Sequence, residues 1–175
     1  MTLITRPEGL SADQIAPSRR SLGVATAGGL MFAAYAPAAL SQAASPITTD
    51  SAGLIAHTVS YPSADGFDLP AYVARPEGEG PFPVVIVVSE IFGVHEYIRD
   101  ICRRLAKAGY AAVAPAFFVR KADPAPLSDM SAIMAIVAAA GYDQVMGDVG
   151  AALEWIGLQA WAKADKVGIT GYCWG

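Results

Sequence analysis

Past the first forty-odd residues, apolar and polar positions fall into alternating strand-like and helix-like stretches. His57 to Tyr61 and Phe67 to Ala74 are short strand-like runs on either side of the turn tetrad Ser63-Ala64-Asp65-Gly66, and together they predict a β-hairpin. After the Pro- and Gly-rich loop from Arg75 to Pro83, Val84-Val85-Ile86-Val87-Val88 shows no polar alternation. Such a run predicts a strand covered on both faces, as in a parallel sheet between helices. From about Tyr97 to Ala108, Ile98, Ile101, Leu105 and Ala108 recur at helical spacing, while Arg99, Asp100, Arg103, Arg104 and Lys107 fill other faces. Gly109 stops this helix. Ala111 to Ala114 predicts a second buried strand, Lys121 to Leu127 a Pro-containing loop, and Asp129 to Ala140 and Tyr142 to Trp161 two further helices. Lys166 to Thr170 predicts a last strand running into Gly171. Repeated strand-helix-strand order with apolar strands implies an α/β fold, a mostly parallel sheet with flanking helices and right-handed crossovers.

The opening stretch has a different character. Ser18-Arg19-Arg20-Ser21-Leu22 precedes an Ala- and Gly-rich apolar run from Gly23 to Leu40, and Ser41-Gln42-Ala43 supplies the small-x-small pattern that suits signal peptidase. Residues 1–43 therefore read as a twin-arginine signal peptide, with Arg19 and Arg20 as the paired recognition residues and the twin-arginine translocase as a transient partner. The competing reading is a membrane anchor, but Gly23, Gly28, Gly29 and Pro37 thin the apolar run, which barely reaches the roughly 18–20 residues that span hydrocarbon. The expected organisation is a signal over 1–43, a linker over 44–55 and an α/β domain over 56–175, in a periplasmic or secreted protein.

Composition narrows the function classes. Of 175 residues, 54% are hydrophobic and 16% charged, which excludes a disordered chain. The formal charge of −4 leaves no basic footprint for nucleic acid and makes a small molecule the expected partner. Cys102 and Cys173 cannot build a disulfide framework, and with only His57 and His95 beside them a metal site has few ligands, so neither metal nor cofactor is expected.

Candidate chemistry concentrates in two places. Gly171-Tyr172-Cys173-Trp174-Gly175 follows a short apolar strand as a Gly-x-nucleophile-x-Gly pentad, the pattern of a nucleophile elbow that lifts the central side chain above the sheet. The competing reading is an ordinary buried cysteine after a strand. Ser89-Glu90-Ile91-Phe92-Gly93-Val94-His95 leaves the carboxyl end of the most apolar strand, the end that faces the active site in open α/β sheets. Glu90 there is either a carboxylate that polarises a nearby thiol or a solvated loop residue. His95 reads as a solvated loop histidine, and His57 has no catalytic reading.

Glu90-Ile91-Phe92-Gly93-Val94, the helix with Arg103-Arg104-Leu105-Ala106 followed by Gly109-Tyr110-Ala111, the Gly147-Asp148 pair and Gly171-Tyr172-Cys173-Trp174-Gly175 together resemble the dienelactone hydrolase family of α/β-hydrolases, from about His57 to Gly175. The resemblance implies that Cys173 is the nucleophile, that Glu90 takes up the thiol proton, and that the backbone N–H groups of Ile91 and Trp174 form the oxyanion hole. It implies hydrolysis of a lactone or ester through an acyl-cysteine. The family's aspartate and histidine lie beyond the elbow, so the 175 residues are expected to stop at the elbow and to lack a complete triad. The rival expectation is a non-catalytic exported remnant. Dienelactone-type members hold a substrate carboxylate with an arginine between the Pro-containing loop and the elbow; after Arg120 and Lys121 only Lys163 and Lys166 are basic here, so a carboxylate-bearing lactone is not expected.

Overall fold

A computed structural model describes residues 48–175; the signal-peptide reading of Arg19, Arg20 and residues 1–43 lies outside them. Five strands form one sheet: β1 (Leu54–Pro62), β2 (Asp68–Pro76), β3 (Phe82–Val88), β4 (Ala111–Pro115) and β5 (Ala162–Gly171), in the order β1-β2-β4-β3-β5. Among the described residues three helices accompany them: α1 (Glu96–Lys107), α2 (Met130–Ala139) and α3 (Tyr142–Gly157). The hairpin β1-β2 forms around the expected turn, where the Ser63 N–H donates to the Phe67 carbonyl at 2.8 Å. The sheet is mixed rather than mostly parallel. β2 joins β4 antiparallel, whereas β3 pairs parallel with both β4 and β5. A hairpin is a local feature, but the strand onto which its second arm docks is a tertiary choice.

The unbroken apolar runs follow from the two covered faces. On one face Ala71, Val73, Val84, Ile86, Val88, Ala111 and Val113 pack with Ala151, Ala152 and Ile156 of α3. Their chain neighbours Tyr72, Ala74, Val87, Ala112 and Ala114 point the other way and meet Ile98, Cys102 and Ala106 of α1. Period-two alternation thus feeds two cores, and every position must be apolar. In α1 the buried apolar residues Ile98, Cys102 and Ala106 advance by four residues per step, one stripe along the helix.

Two boundaries differ most from the expected ones. α3 ends at Gly157 instead of reaching Trp161, whose carbonyl accepts the Phe82 N–H at 2.7 Å and so belongs to the entry of β5. The strand begins four residues early, at Ala162, because Ala162 and Lys163 pair with Phe82 and Pro83 before residues 164–166 bulge out and Val167 resumes the ladder at Val84. β5 is an edge strand among the described residues, with Ile169 62% exposed. Trp155 packs against the core, its ring stacked on Tyr61 at 5.0 Å.

Candidate active site

β3 and β5 are parallel neighbours, so the segments that leave their carboxyl ends emerge side by side. The pentad continues from β5 and is tied to β3: the Tyr172 N–H donates to the Val88 carbonyl at 3.1 Å, two residues before Glu90. Cys173 follows with φ +56°, in the left-handed region that non-glycine residues rarely occupy. Its side chain is exposed and its thiol free. The flanking glycines have a steric reason. A Cβ on Gly171 would collide with the Gly175 backbone, and one on Gly175 would lie 2.7 Å from both Cγ1 and the carbonyl oxygen of Val88. The turn closes on itself, with the Gly175 N–H donating to the Tyr172 carbonyl at 3.0 Å, and only glycine fits at either end. This geometry rules out the reading of Cys173 as a buried core cysteine.

Glu90 lies in the loop after β3 with its side chain 13% exposed, which removes the reading of a solvated carboxylate. Its Oε1 lies 2.6 Å from His95 Nε2. Its Oε2 is buried and has no hydrogen-bond partner among the described residues. The expectation for His95 is corrected as well: it is half-buried and forms the N-cap of α1, its Nδ1 accepting the Tyr97 N–H at 3.3 Å. The His95 N–H donates to the Gly93 carbonyl at 3.0 Å, so the turn Glu90-Ile91-Phe92-Gly93 brings the imidazole back over the carboxylate. Histidine is an uncommon cap, and no spacing rule singled it out. The Glu-x-x-x-x-His interval directly before a helix was the available signal.

Ile91 packs against the small cluster of Phe118, Ile133, Ile136 and Val137, and the Trp174 ring meets Phe118 edge-on at 4.9 Å. Phe118 thereby links the two residues whose N–H groups were expected to serve an oxyanion. Beside it lies a cavity of about 210 Å³, lined in part by Phe117, Phe118, Ile136, Ala140, Arg120 and Lys121. Arg120 is already engaged: it pairs with buried Asp148 at 2.6 Å and with Asp65 at 2.7 Å, and its ring neighbour is Phe67 at 4.4 Å. Asp148 and then Asp65 hold its guanidinium more firmly protonated than usual, against the opposing effect of burial. His57 lies exposed on β1, at the opposite edge of the sheet from β5, and takes no part.

The dienelactone hydrolase family profile matches residues 69–175, from β2 through the pentad. The chain belongs to the dienelactone hydrolase family. Relatives agree: a Methylorubrum extorquens protein provisionally named carboxymethylenebutenolidase is 45% identical over 166 residues, covering 94% of this chain and 55% of its own length. An Escherichia coli protein with the same provisional name is 43% identical over 143 residues, 81% of this chain and 52% of its own length. A Klebsiella pneumoniae crystal structure, provisionally described as a dienelactone hydrolase, superposes with TM-score 0.65 at 44% identity, covering 70% of this chain and 51% of that one. The chain spans about half the length of these dienelactone hydrolase relatives. The α/β-hydrolase fold of the family accounts for the sheet flanked by helices.

Proposed function

We propose that this dienelactone hydrolase family member hydrolyses small esters or lactones through Cys173. The observation that carries the reading is the left-handed Cys173, held between two obligatory glycines immediately after β5 and beside the loop that bears Glu90. Glu90 Oε2 accepts the thiol proton, and the thiolate attacks the acyl carbon. The C–S bond forms as the carbonyl π pair moves to oxygen, where the Ile91 and Trp174 N–H groups receive it. When the carbonyl re-forms, the C–O bond to the alcohol breaks and the leaving alkoxide takes the proton from Glu90. Water then attacks the acyl-cysteine, releasing the acid and the thiol. With Arg120 committed to Asp65 and Asp148, the reading favours uncharged substrates.

The test is turnover of p-nitrophenyl acetate by the full-length protein. Cys173→Ala should lower kcat/KM about 10³-fold or more, and Glu90→Gln about 10²-fold. Undiminished turnover by Cys173→Ala would remove the cysteine from the nucleophile role.

Residues 1–43 we propose as a twin-arginine signal that delivers the protein to the periplasm or outside the cell through the translocase, on the strength of Arg19, Arg20 and the small-residue stretch at Ser41-Gln42-Ala43. Replacing both arginines by lysine should leave a tagged precursor in the cytoplasm. Continued export by that route would refute the signal.

A further inference from the structure

Glu90 is held by one oxygen and free at the other, and the cause is traceable to the start of α1. The Tyr97 backbone N–H points at His95 Nδ1, 3.3 Å away, so that nitrogen must present a lone pair. The ring proton is therefore on Nε2, where it donates to Glu90 Oε1 at 2.6 Å. A helix cap thus selects the tautomer that grips the carboxylate. The imidazole is boxed by aromatic rings, with Phe92 edge-on at 6.2 Å and Tyr97 nearly parallel at 6.3 Å. Tyr97 in turn meets Tyr172, the residue before Cys173, edge-on at 6.3 Å. The grip on Glu90 and the elbow are therefore neighbours through one pair of tyrosines. Glu90 Oε2, buried and without a partner among the described residues, is the one oxygen of this carboxylate left to accept a proton.

We propose that His95 is a positioning residue for the hydrolytic reaction: through Nε2–H it holds Glu90 Oε1 and so reserves Oε2 for the proton of Cys173. This rests on the reading of Cys173 as nucleophile and Glu90 as its proton acceptor. The proton passes from Sγ to Oε2, giving a thiolate and a neutral carboxyl group, while His95 neither gains nor loses one. Without the grip the carboxylate turns freely or spends both oxygens on solvent, and the thiol loses its acceptor.

The two hydrogen bonds of His95 can be separated by substitution. His95→Asn keeps a good helix cap but is too short to reach Glu90. His95→Gln places an amide N–H near the position of Nε2 and sacrifices the cap. In the full-length protein, the iodoacetamide reaction of Cys173 at pH 7, followed by mass spectrometry, and the kcat for p-nitrophenyl acetate are the readouts. His95→Asn should lower both about tenfold with KM and melting temperature nearly unchanged, as expected from losing one hydrogen bond to a charged group. His95→Gln should stay within about threefold of the parent in both readouts despite a lower melting temperature, a pattern that a merely structural role would reverse. Adding His95→Asn to Glu90→Gln should cost nothing more, because the two act as one unit. A His95→Asn protein as fast as the parent, equal slowing by Asn and Gln, or additive losses in the double variant would each overturn the positioning role. If Glu90→Gln itself reacts as fast as the parent, the underlying assignment of Glu90 fails, and this inference falls with it.

Discussion

The two cysteines lie on opposite sides of one question, and the regions around them are built differently. Cys102 sits on the buried stripe of α1, fully enclosed between Ile98, Ala106 and the sheet. Burial pushes its thiol up to about 12, with the Arg103 charge only partly opposing the shift. Cys173 stands at the exposed turn beyond β5 in a backbone conformation that costs roughly 1–3 kcal/mol. Around α1 the polar groups are heavily cross-linked. The Arg103 Nε–H donates to the Thr49 carbonyl at 2.6 Å, Arg104 pairs with buried Asp100 at 2.6 Å, and Lys107 pairs with Asp50 at 2.8 Å. Burial disfavours the Asp100 charge, yet bonds from Thr49 and the Arg104 cation outweigh it and keep the carboxyl below its ordinary range. One region stores stability and silences its sulfur; the other carries strain and presents its sulfur.

That contrast predicts the largest measurable difference. At pH 8 a thiol that titrates near 12 is ionised to about one part in 10⁴, and closed packing slows it further. Iodoacetamide should therefore label Cys173 at least about 10³-fold faster than Cys102, as read by peptide mass spectrometry. Comparable rates would erase the distinction between the two regions. Ile98→Ala should sharpen it: removing a fully buried side chain one turn from Cys102 should lower stability by about 2–5 kcal/mol in urea unfolding and raise the Cys102 labelling rate, leaving that of Cys173 unchanged.

A smaller effect concerns the clasp around Arg120. Bonds from the Ser63 hydroxyl and the Phe67 N–H, then the Arg120 charge, hold Asp65 at about 2. A carboxyl lowered by folding adds stability that is fully present above its ordinary value of about 4 and is lost as pH falls toward 2. Asp65→Asn should thus lower the melting temperature at pH 7 by a few degrees or less, because the group is exposed, and its curve should converge with that of the parent between about pH 4 and pH 2. A gap that persists unchanged at pH 2 would mean that Asp65 acts through its shape and not its charge.

Much of this was legible in the sequence. Val84 to Val88 could only be a strand covered twice, and the structure divides its residues between two cores. The glycines at 171 and 175 pointed to a tight turn through their offset alone, and the collisions that a Cβ would cause supply the reason. Trp161 misled because its apolar character continues the helical pattern of α3, whereas its carbonyl is taken by Phe82, 79 positions earlier in the chain. His95 misled for a related reason. In the loop after Glu90 it reads as a solvated residue, and its cap bond and its contact with Glu90 appear only when the turn is closed.

By itself, the sequence determined the local elements: the hairpin around Ser63-Ala64-Asp65-Gly66, the stripe of α1, the doubly covered strands and the pentad at Gly171 to Gly175. These depend on side-chain period, turn chemistry and steric limits that act over a few residues. The tertiary structure alone decided that β2 docks antiparallel on β4, that β5 lies against β3 so that Cys173 and Glu90 leave neighbouring strand ends, and that His95 grips one oxygen of Glu90. Pairing between distant strands and hydrogen bonds across a closed loop depend on which surfaces meet, and no local pattern encodes the partner at the far end of a contact.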